Sequence, residues 1–580
     1  MYSFDKLNNV DFEKLLGRIR RGDFVHSSEL LPHLCVENGK LRCSVNFRLA
    51  EAYADIGNLE QARIFISRSW ILSKFSKDIL PLYIEIHSAL DDIDSIRGAY
   101  KRLGMIEASN DNIIGALQYF NLWHYGYANH QRKEKYEYDF DILERIEQMA
   151  EPWRFKRFDK SERPYNRRIR LAYLMFGVTH INSVLVKINL TFAKYHDKRR
   201  FDVNFFVPEP KRIVYASNAA LETIEKLKKY SCNVVIAPGW RNNLNSLLTV
   251  ANEIYKYKAD VLITSALLAE FEQYFIACLR PAPVIIGLLQ GPPAQFVAPT
   301  LDWCISWSKH PLMDSPCDCS LFHLGLDLPE RDSTKHYSKD DLGIPGDCKV
   351  LMSAGRHVKF QNADFWRAIL DILARFPKVY YIAVGVSIEQ VPFLDALLTS
   401  ELSKRMILMG WREDFLAVLS LANVLIDTFP SGGGHVLIEA MSLGIPFISF
   451  ENDYMKNFDQ TEWSVADEFV SIPELMVKRN NFLEFKRVVG KLIDDTEYRM
   501  EMGRLCKEQV NILMGSAEEK VRKYESVLLR VIEKKLMSRK SSLSGTDDTA
   551  SYAHLSCQIR NLFSKIKSYI FIHSGSRRKS

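Results

Sequence analysis

The stretch Asn423-Val-Leu-Ile-Asp427-Thr-Phe-Pro430-Ser-Gly-Gly-Gly434-His-Val-Leu-Ile-Glu439-Ala-Met-Ser-Leu-Gly444-Ile-Pro446 reads as a buried strand, a tight turn, a helix and the approach to another strand. Three glycines in a row, set where a strand hands over to a helix, let the backbone come close to a ligand with no Cβ in the way. The helix behind them starts with unpaired N–H groups and a partial positive charge, which suits a phosphate or pyrophosphate. Glu439 stands one helical turn beyond His435 and on its face, where a carboxylate can hold a ribose diol. A diphosphate nucleotide is therefore the expected ligand.

Strand signals recur on both sides of that stretch. Upstream, Lys349 to Ala354, Val379 to Gly385 and Arg405 to Met409 are apolar runs separated by helical patterns, and Pro446 to Phe450 follows. A similar series precedes it: Arg168 to Gly177, Phe201 to Val207, Asn233 to Ala237, Asp260 to Thr264, Pro283 to Leu288 and Trp303 to Trp307. Strands alternating with helices predict parallel sheets, and two such series predict two doubly wound domains with a cleft between them. The predicted boundaries are 167–330 for the first α/β domain and 331–533 for the second.

Residues 1–150 show helical periodicity with almost no strand signal. Within them, Asn46-Phe-Arg-Leu-Ala-Glu-Ala-Tyr53-Ala-Asp-Ile-Gly57-Asn-Leu-Glu-Gln-Ala62-Arg-Ile-Phe65 resembles a tetratricopeptide repeat. Weaker units are read from Pro81 through Tyr100 and from Ile113 through Tyr127; a generic helical bundle is the alternative. A polar segment, 151–166, reads as a linker. The end of the chain, 534–580, is rich in Ser, Lys and Arg and reads as a mostly disordered basic tail. Within it, Ile559 to Ile572 has the pattern of a basic amphipathic helix, suited to a membrane surface or a docking partner.

At 580 residues the chain is too long for one core, and a net charge of +6 is too small to mark a nucleic-acid-binding protein. No secretory leader or membrane-spanning run is read, so a cytoplasmic protein is expected. The ten cysteines are scattered, with only Cys317 and Cys319 close together, and they read as reduced core residues.

The tandem α/β domains resemble a glycosyltransferase of the GT-B fold. Ser431-Gly-Gly-Gly-His-Val-Leu-Ile-Glu439 is similar to the donor-binding signature of the family 4 (glycosyltransferase group 1) type, a Glu-x7-Glu pair; here Ser431 replaces the first carboxylate. Ile426-Asp-Thr-Phe-Pro, the Gly434-His435 step, Arg168-Ile-Arg-Leu-Ala-Tyr and Tyr195-His-Asp-Lys-Arg-Arg-Phe-Asp-Val resemble the O-linked N-acetylglucosamine transferase/SPINDLY-like type. That group often carries tetratricopeptide repeats ahead of its transferase domains. Its double threonine after the histidine is replaced here by Val436 and Leu437.

These resemblances imply transfer of a sugar from a nucleotide-sugar, UDP-linked by expectation, to a protein acceptor or to a polysaccharide or lipid-linked acceptor. They also place basic side chains on the first strand-to-helix loop of the second domain, Ser353-Ala-Gly355-Arg356-His-Val-Lys359-Phe. Arg356 offers a planar fork and Lys359 a mobile point charge to the donor pyrophosphate. With these and a helix N-terminus, neither a metal ion nor a cofactor is expected.

Gly410 and Trp411, followed by Arg412, are candidates for the base pocket, with interdomain packing as the other role for the tryptophan. Gly433, Gly434 and His435 complete the donor set with Glu439; helix capping without a ligand is the alternative for His435. His180, in the loop after the first strand, is the candidate base for the acceptor proton. Gln290-Gly-Pro-Pro293 is a further cleft loop, and Asn452, Asp453 and Asp459 are expected to approach the sugar or acceptor. The helical region would present a protein acceptor, and the basic tail would give a peripheral contact with the inner face of the membrane. The rival from another class is a non-catalytic adaptor or chaperone of a glycosylation complex. An epimerase of similar fold and a nucleotide-free docking protein are the remaining alternatives.

Overall fold

In a computed structural model the chain is described over residues 9–22, 39–90, 92–129, 139–155, 167–179, 184–238, 243–265, 271–289, 300–306, 319–321, 337–412, 414–452 and 464–543. A compact unit runs from Met1 to Glu525; a second, Ser526–Ser580, is helical as far as it is described, to Leu543. Helix thus continues past residue 533, where the tail was expected to begin.

Seven helices come first: α1 (Asn9–Arg20), α2 (Gly39–Asp55), α3 (Leu59–Leu72), α4 (Leu80–Ala89), α5 (Ile93–Ser109), α6 (Ile113–Asn129) and α7 (Phe140–Ala150). The α2–α3 pair has the repeat-like form expected. Gly57 turns the chain at φ +73°, Asn58 caps α3 through the Gln61 N–H, and the Tyr53 and Phe65 rings stack at 5.5 Å. Gly104 lets α5 and α6 meet closely, since a Cβ there would lie 2.4 Å from the Phe120 ring.

Helices α6 and α7 bury Leu117, Phe120, Ile142 and Ile146 in the same core as the first sheet. The Tyr274 hydroxyl donates to Glu147 at 2.6 Å, and Asn121 bonds both Glu272 and the Phe271 N–H at 2.9 Å. The helical segment is thereby fastened to the first α/β body by polar bonds as well as by apolar packing.

The first sheet has seven strands: β1 (Ile169–Leu174), β2 (Phe201–Val207), β3 (Asn233–Ile236), β4 (Val261–Ser265), β5 (Val284–Leu289), β6 (Trp303–Ser306) and β7 (Cys319–Leu321). All its pairings are parallel, in the order β3-β2-β1-β4-β5-β6-β7. The second has β8 (Lys349–Ala354), β9 (Val379–Val384), β10 (Met406–Leu408), β11 (Val424–Ile426), β12 (Phe447–Phe450) and β13 (Met476–Val477). It is also parallel, in the order β10-β9-β8-β11-β12-β13.

Two tandem Rossmann-like domains after a helical region are the GT-B architecture read from the sequence. The strands are predominantly apolar because helices cover both faces of a parallel sheet. Strand order reverses between β1 and β4 in the first sheet and between β8 and β11 in the second. The crevice outside the strand ends at such a reversal is where open α/β sheets bind ligands. In the second sheet that point is flanked by the loop after β8, with Arg356 and Lys359, and by the glycine turn after β11. On the first domain, helix α8 (Val184–Tyr195) is the first described after β1.

Cys43, Cys232, Cys278, Cys304, Cys348 and Cys506 are free thiols, which fits the reduced reading. Among the described residues, no helix is long and apolar enough to cross a membrane.

Candidate active site at the glycine turn

Asp427 builds the turn. It directly follows β11, is buried, and accepts from the Thr428 N–H at 2.9 Å, the Gly433 N–H at 2.7 Å and the Ser449 hydroxyl at 2.6 Å. Burial raises its pKa above the ordinary value, against the pull of those donors. Gly432 is required by the same packing: a Cβ there would lie 2.5 Å from the Asp427 carboxylate and 3.2 Å from the Ser464 backbone. Thr428 closes the loop from the other side by donating to the Ser431 carbonyl at 2.7 Å.

The turn delivers the helix His435–Ser442 with Gly434 at its N-cap, a residue with no side chain to cap it. Its N-terminus therefore keeps donors for an anion. Lys359 reaches over from the β8 loop and donates to the Gly432 carbonyl. Part of its surface remains exposed, yet desolvation around the amine, against the attraction of Asp427, brings its pKa down to about 8. Arg356, three residues earlier, is exposed and makes no ion pair among the described residues. It adds to the positive field that lowers the pKa of Lys359.

Across the cleft, Lys187 on α8 points into the same helix start. Its ammonium lies 2.8 Å from Glu439 Oε1 and 3.3 Å from His435 Nε2. His435 Nε2 is in turn 3.2 Å from Glu439 Oε1, and the side chains of His435 and Glu439 are only 8% and 3% exposed. Burial opposes the charge on Glu439, but the polar groups around it, Lys187 among them, outweigh it and hold the carboxyl below its ordinary pKa. The other ring nitrogen, His435 Nδ1, is buried and has no hydrogen-bond partner among the described residues. An orphaned polar atom at a helix N-terminus beside two cations is the arrangement an anionic ligand completes.

Beside this corner the ends of β8, β9 and β10 form a glycine floor. Gly355, Gly385 and Gly410 follow these strands; the Gly385 N–H bonds the Gly410 carbonyl at 2.6 Å, and the Gly355 N–H bonds Val384 at 3.0 Å. Gly385 has φ +90°, and a Cβ on it would fall 2.1 Å from the Gly355 carbonyl oxygen. Gly385→Ala should cost on the order of 2–4 kcal/mol, because left-handed strain adds to a backbone clash. Denaturant unfolding of the variant beside the wild type checks this.

Trp411 follows Gly410 directly and is 69% exposed. Arg412 is turned away from it, paired with Asp414 at 2.8 Å and bonded to the Tyr337 hydroxyl.

The structure therefore gathers Arg356, Lys359, Gly434, His435 and Glu439 at one strand reversal, with Gly410 and Trp411 at the neighbouring strand end. Gly433 has a different part from the one expected: its N–H is spent on Asp427, so it shapes the turn. Asn452 is a correction. Its side chain donates to the Ser464 carbonyl at 2.9 Å and accepts from the Ser464 N–H at 2.6 Å, so it clasps its own loop and does not reach for a sugar. His180, Gln290 to Pro293, Asp453, Asp459, Cys317 and the 559–572 segment lie outside the described residues. Sequence reasoning missed Lys187, whose partners are more than 240 residues away, and gave no role to Asp427.

Neither a protein-family model nor a curated protein matches the sequence. Solved structures do. A point mutant of the O-GlcNAc transferase of Thermobaculum terrenum is 13% identical, with 87% of this chain and 100% of that chain covered at a TM-score of 0.53. A glycosyltransferase from Rickettsia africae is also 13% identical, with 64% of this chain and 99% of that one covered at a TM-score of 0.46. The first is a likeness of fold, and it covers more of this chain than the two α/β domains amount to, so it extends into the helical segment.

Proposed function

We propose that this chain is a glycosyltransferase that moves a sugar from a nucleotide-sugar, UDP-linked by expectation, to a protein or to a polysaccharide or lipid-linked acceptor. The observation that carries this reading is the buried His435 Nδ1, without a partner among the described residues, at the start of the helix whose preceding turn Lys359 bonds at the Gly432 carbonyl. A diphosphate set there meets a helix N-terminus and two cations, and all three act most strongly as the bond to the sugar breaks and the leaving diphosphate gains charge. That positive charge comes from the chain itself, so the reaction is proposed to need no metal ion. Both contacts to Glu439 fall on Oε1, which leaves Oε2 to take a ribose hydroxyl.

The glycine floor and Trp411 would receive the base, with the indole as a stacking surface. His180 would take the acceptor proton. The protein would work in the cytoplasm, the helical segment would dock a protein acceptor, and the basic tail would give a peripheral membrane contact. The likeness to an O-GlcNAc transferase supports a nucleotide-sugar donor and is silent on the acceptor.

Thermal unfolding against UDP-, GDP-, CMP- and dTDP-sugars, without added metal, tests the reading. A ligand bound only to the native state at about 100 times its Kd stabilises by about 2.7 kcal/mol. One nucleotide family should raise the midpoint, and Arg356→Ala should abolish that rise. The ligand-free stability of this variant should stay within about 0.5 kcal/mol of wild type, because Arg356 is exposed and makes no ion pair among the described residues. No rise with any donor would overturn the proposal.

A further inference from the structure

We infer that Lys187 is a positioning residue that, from across the cleft, fixes which nitrogen of His435 carries the proton. The inference rests on the donor-site reading above and adds a residue from the other domain to it.

His435 Nε2 faces two groups at nearly equal range, the Lys187 ammonium at 3.3 Å and the Glu439 carboxylate at 3.2 Å. It can accept from the first or donate to the second. Glu439 already takes the Lys187 ammonium at 2.8 Å, so its charge is met without the imidazole. An ammonium has three donors and no lone pair, and an Nε2–H set against it would bring two positive hydrogens together. A lone pair there faces a carboxylate oxygen whose charge the ammonium at 2.8 Å already offsets, so accepting from Lys187 is the arrangement with less repulsion.

The imidazole proton then sits on Nδ1, the buried atom with no partner among the described residues. An Nδ1–H donates to a phosphate oxygen, whereas an Nδ1 lone pair would repel one. Lys187 thereby makes His435 a donor toward the diphosphate without touching the diphosphate itself. It also ties readiness of the donor site to the approach of the two domains, since α8 belongs to the first and His435 to the second. Removing the ammonium leaves Glu439 as the group facing Nε2, which draws an Nε2–H and turns Nδ1 into an acceptor.

The experiment is 15N spectroscopy of the full chain labelled at histidine, with the His435 signals assigned by their loss in His435→Gln. Wild type and Lys187→Arg should show the Nδ1–H tautomer, and Lys187→Met should show the Nε2–H tautomer. Calorimetry on the same proteins adds the functional arm. Lys187→Met should weaken binding of a UDP-sugar by about 10- to 100-fold and leave uridine unchanged, with Lys187→Arg restoring most of the loss.

An Nε2–H tautomer or an imidazolium in the wild type overturns the inference, and so does a Lys187→Met spectrum equal to wild type. The wild-type spectrum decides even where Lys187→Met does not fold. A wild type that binds no nucleotide-sugar while its tautomer is as stated would instead sink the donor-site reading, and that outcome is separate from the first.

Discussion

Lys359→Met lowers affinity for the nucleotide-sugar by about 100-fold or more, the scale of one charge-assisted contact to a phosphate in a partly enclosed site. The ammonium sits against the Gly432 carbonyl, at the mouth of the turn that opens on the helix N-terminus. Arg356, proposed to hold the same diphosphate from its exposed position three residues earlier, makes a separate contact and does not replace this one.

A pH signature accompanies the loss. The pKa of Lys359 in the free protein is about 8, brought down chiefly by desolvation. Donor affinity should be flat below that value and fall above it as the charge is lost, and Lys359→Arg should flatten the alkaline limb. Stability moves the other way. The unfolded chain keeps this lysine protonated up to about 10.4, so between about 8 and 10.4 the folded protein binds fewer protons than the unfolded one. Its contribution to ligand-free stability is therefore lowest below pH 8 and rises across that window. Unfolding of wild type and Lys359→Met in parallel isolates the effect, because the variant has nothing to titrate there.

Asp427→Ala should be the most destabilising single change in the second domain, at about 3–5 kcal/mol. It strips an acceptor from the Thr428 and Gly433 N–H groups and from the Ser449 hydroxyl, all in a place water does not reach. The glycine turn loses its anchor, and donor binding goes with it. Asp427→Asn should cost much less, about 1–2 kcal/mol, because it keeps one acceptor oxygen and burial already disfavours the charge on Asp427. Denaturant midpoints of the two variants separate these outcomes; equal and small losses would show that the turn holds itself.

The two sheets were legible because strands buried on both faces are largely apolar, so Lys349–Ala354 and Phe201–Val207 stand out as runs. The edge strands β7 and β13 were not, since three and two residues are too few for any pattern. The donor corner was legible for a topological reason. Arg356, Lys359 and the glycine turn each follow a strand, and strand reversal brings those loops together.

What sequence could not supply was how each polar group is spent. Asn452 looked available in a loop, yet Ser464, twelve residues on, takes both ends of its amide. Gly433 looked like a free N–H and is held by Asp427. Lys187, among the apolar residues of α8, reads as a solvated lysine until the second domain is placed opposite it; in the fold its side chain is only 20% exposed.

The central claim is that an anion site, built by the helix start, His435 and Lys359, recognises the diphosphate of a nucleotide. Calorimetric titration of the wild type with UDP and with uridine, in the presence of a chelator, tests it most directly. UDP should bind about 100-fold or more tightly than uridine, and Lys359→Met should erase most of that difference. Equal affinity for the two, or a difference that survives Lys359→Met intact, would contradict the account.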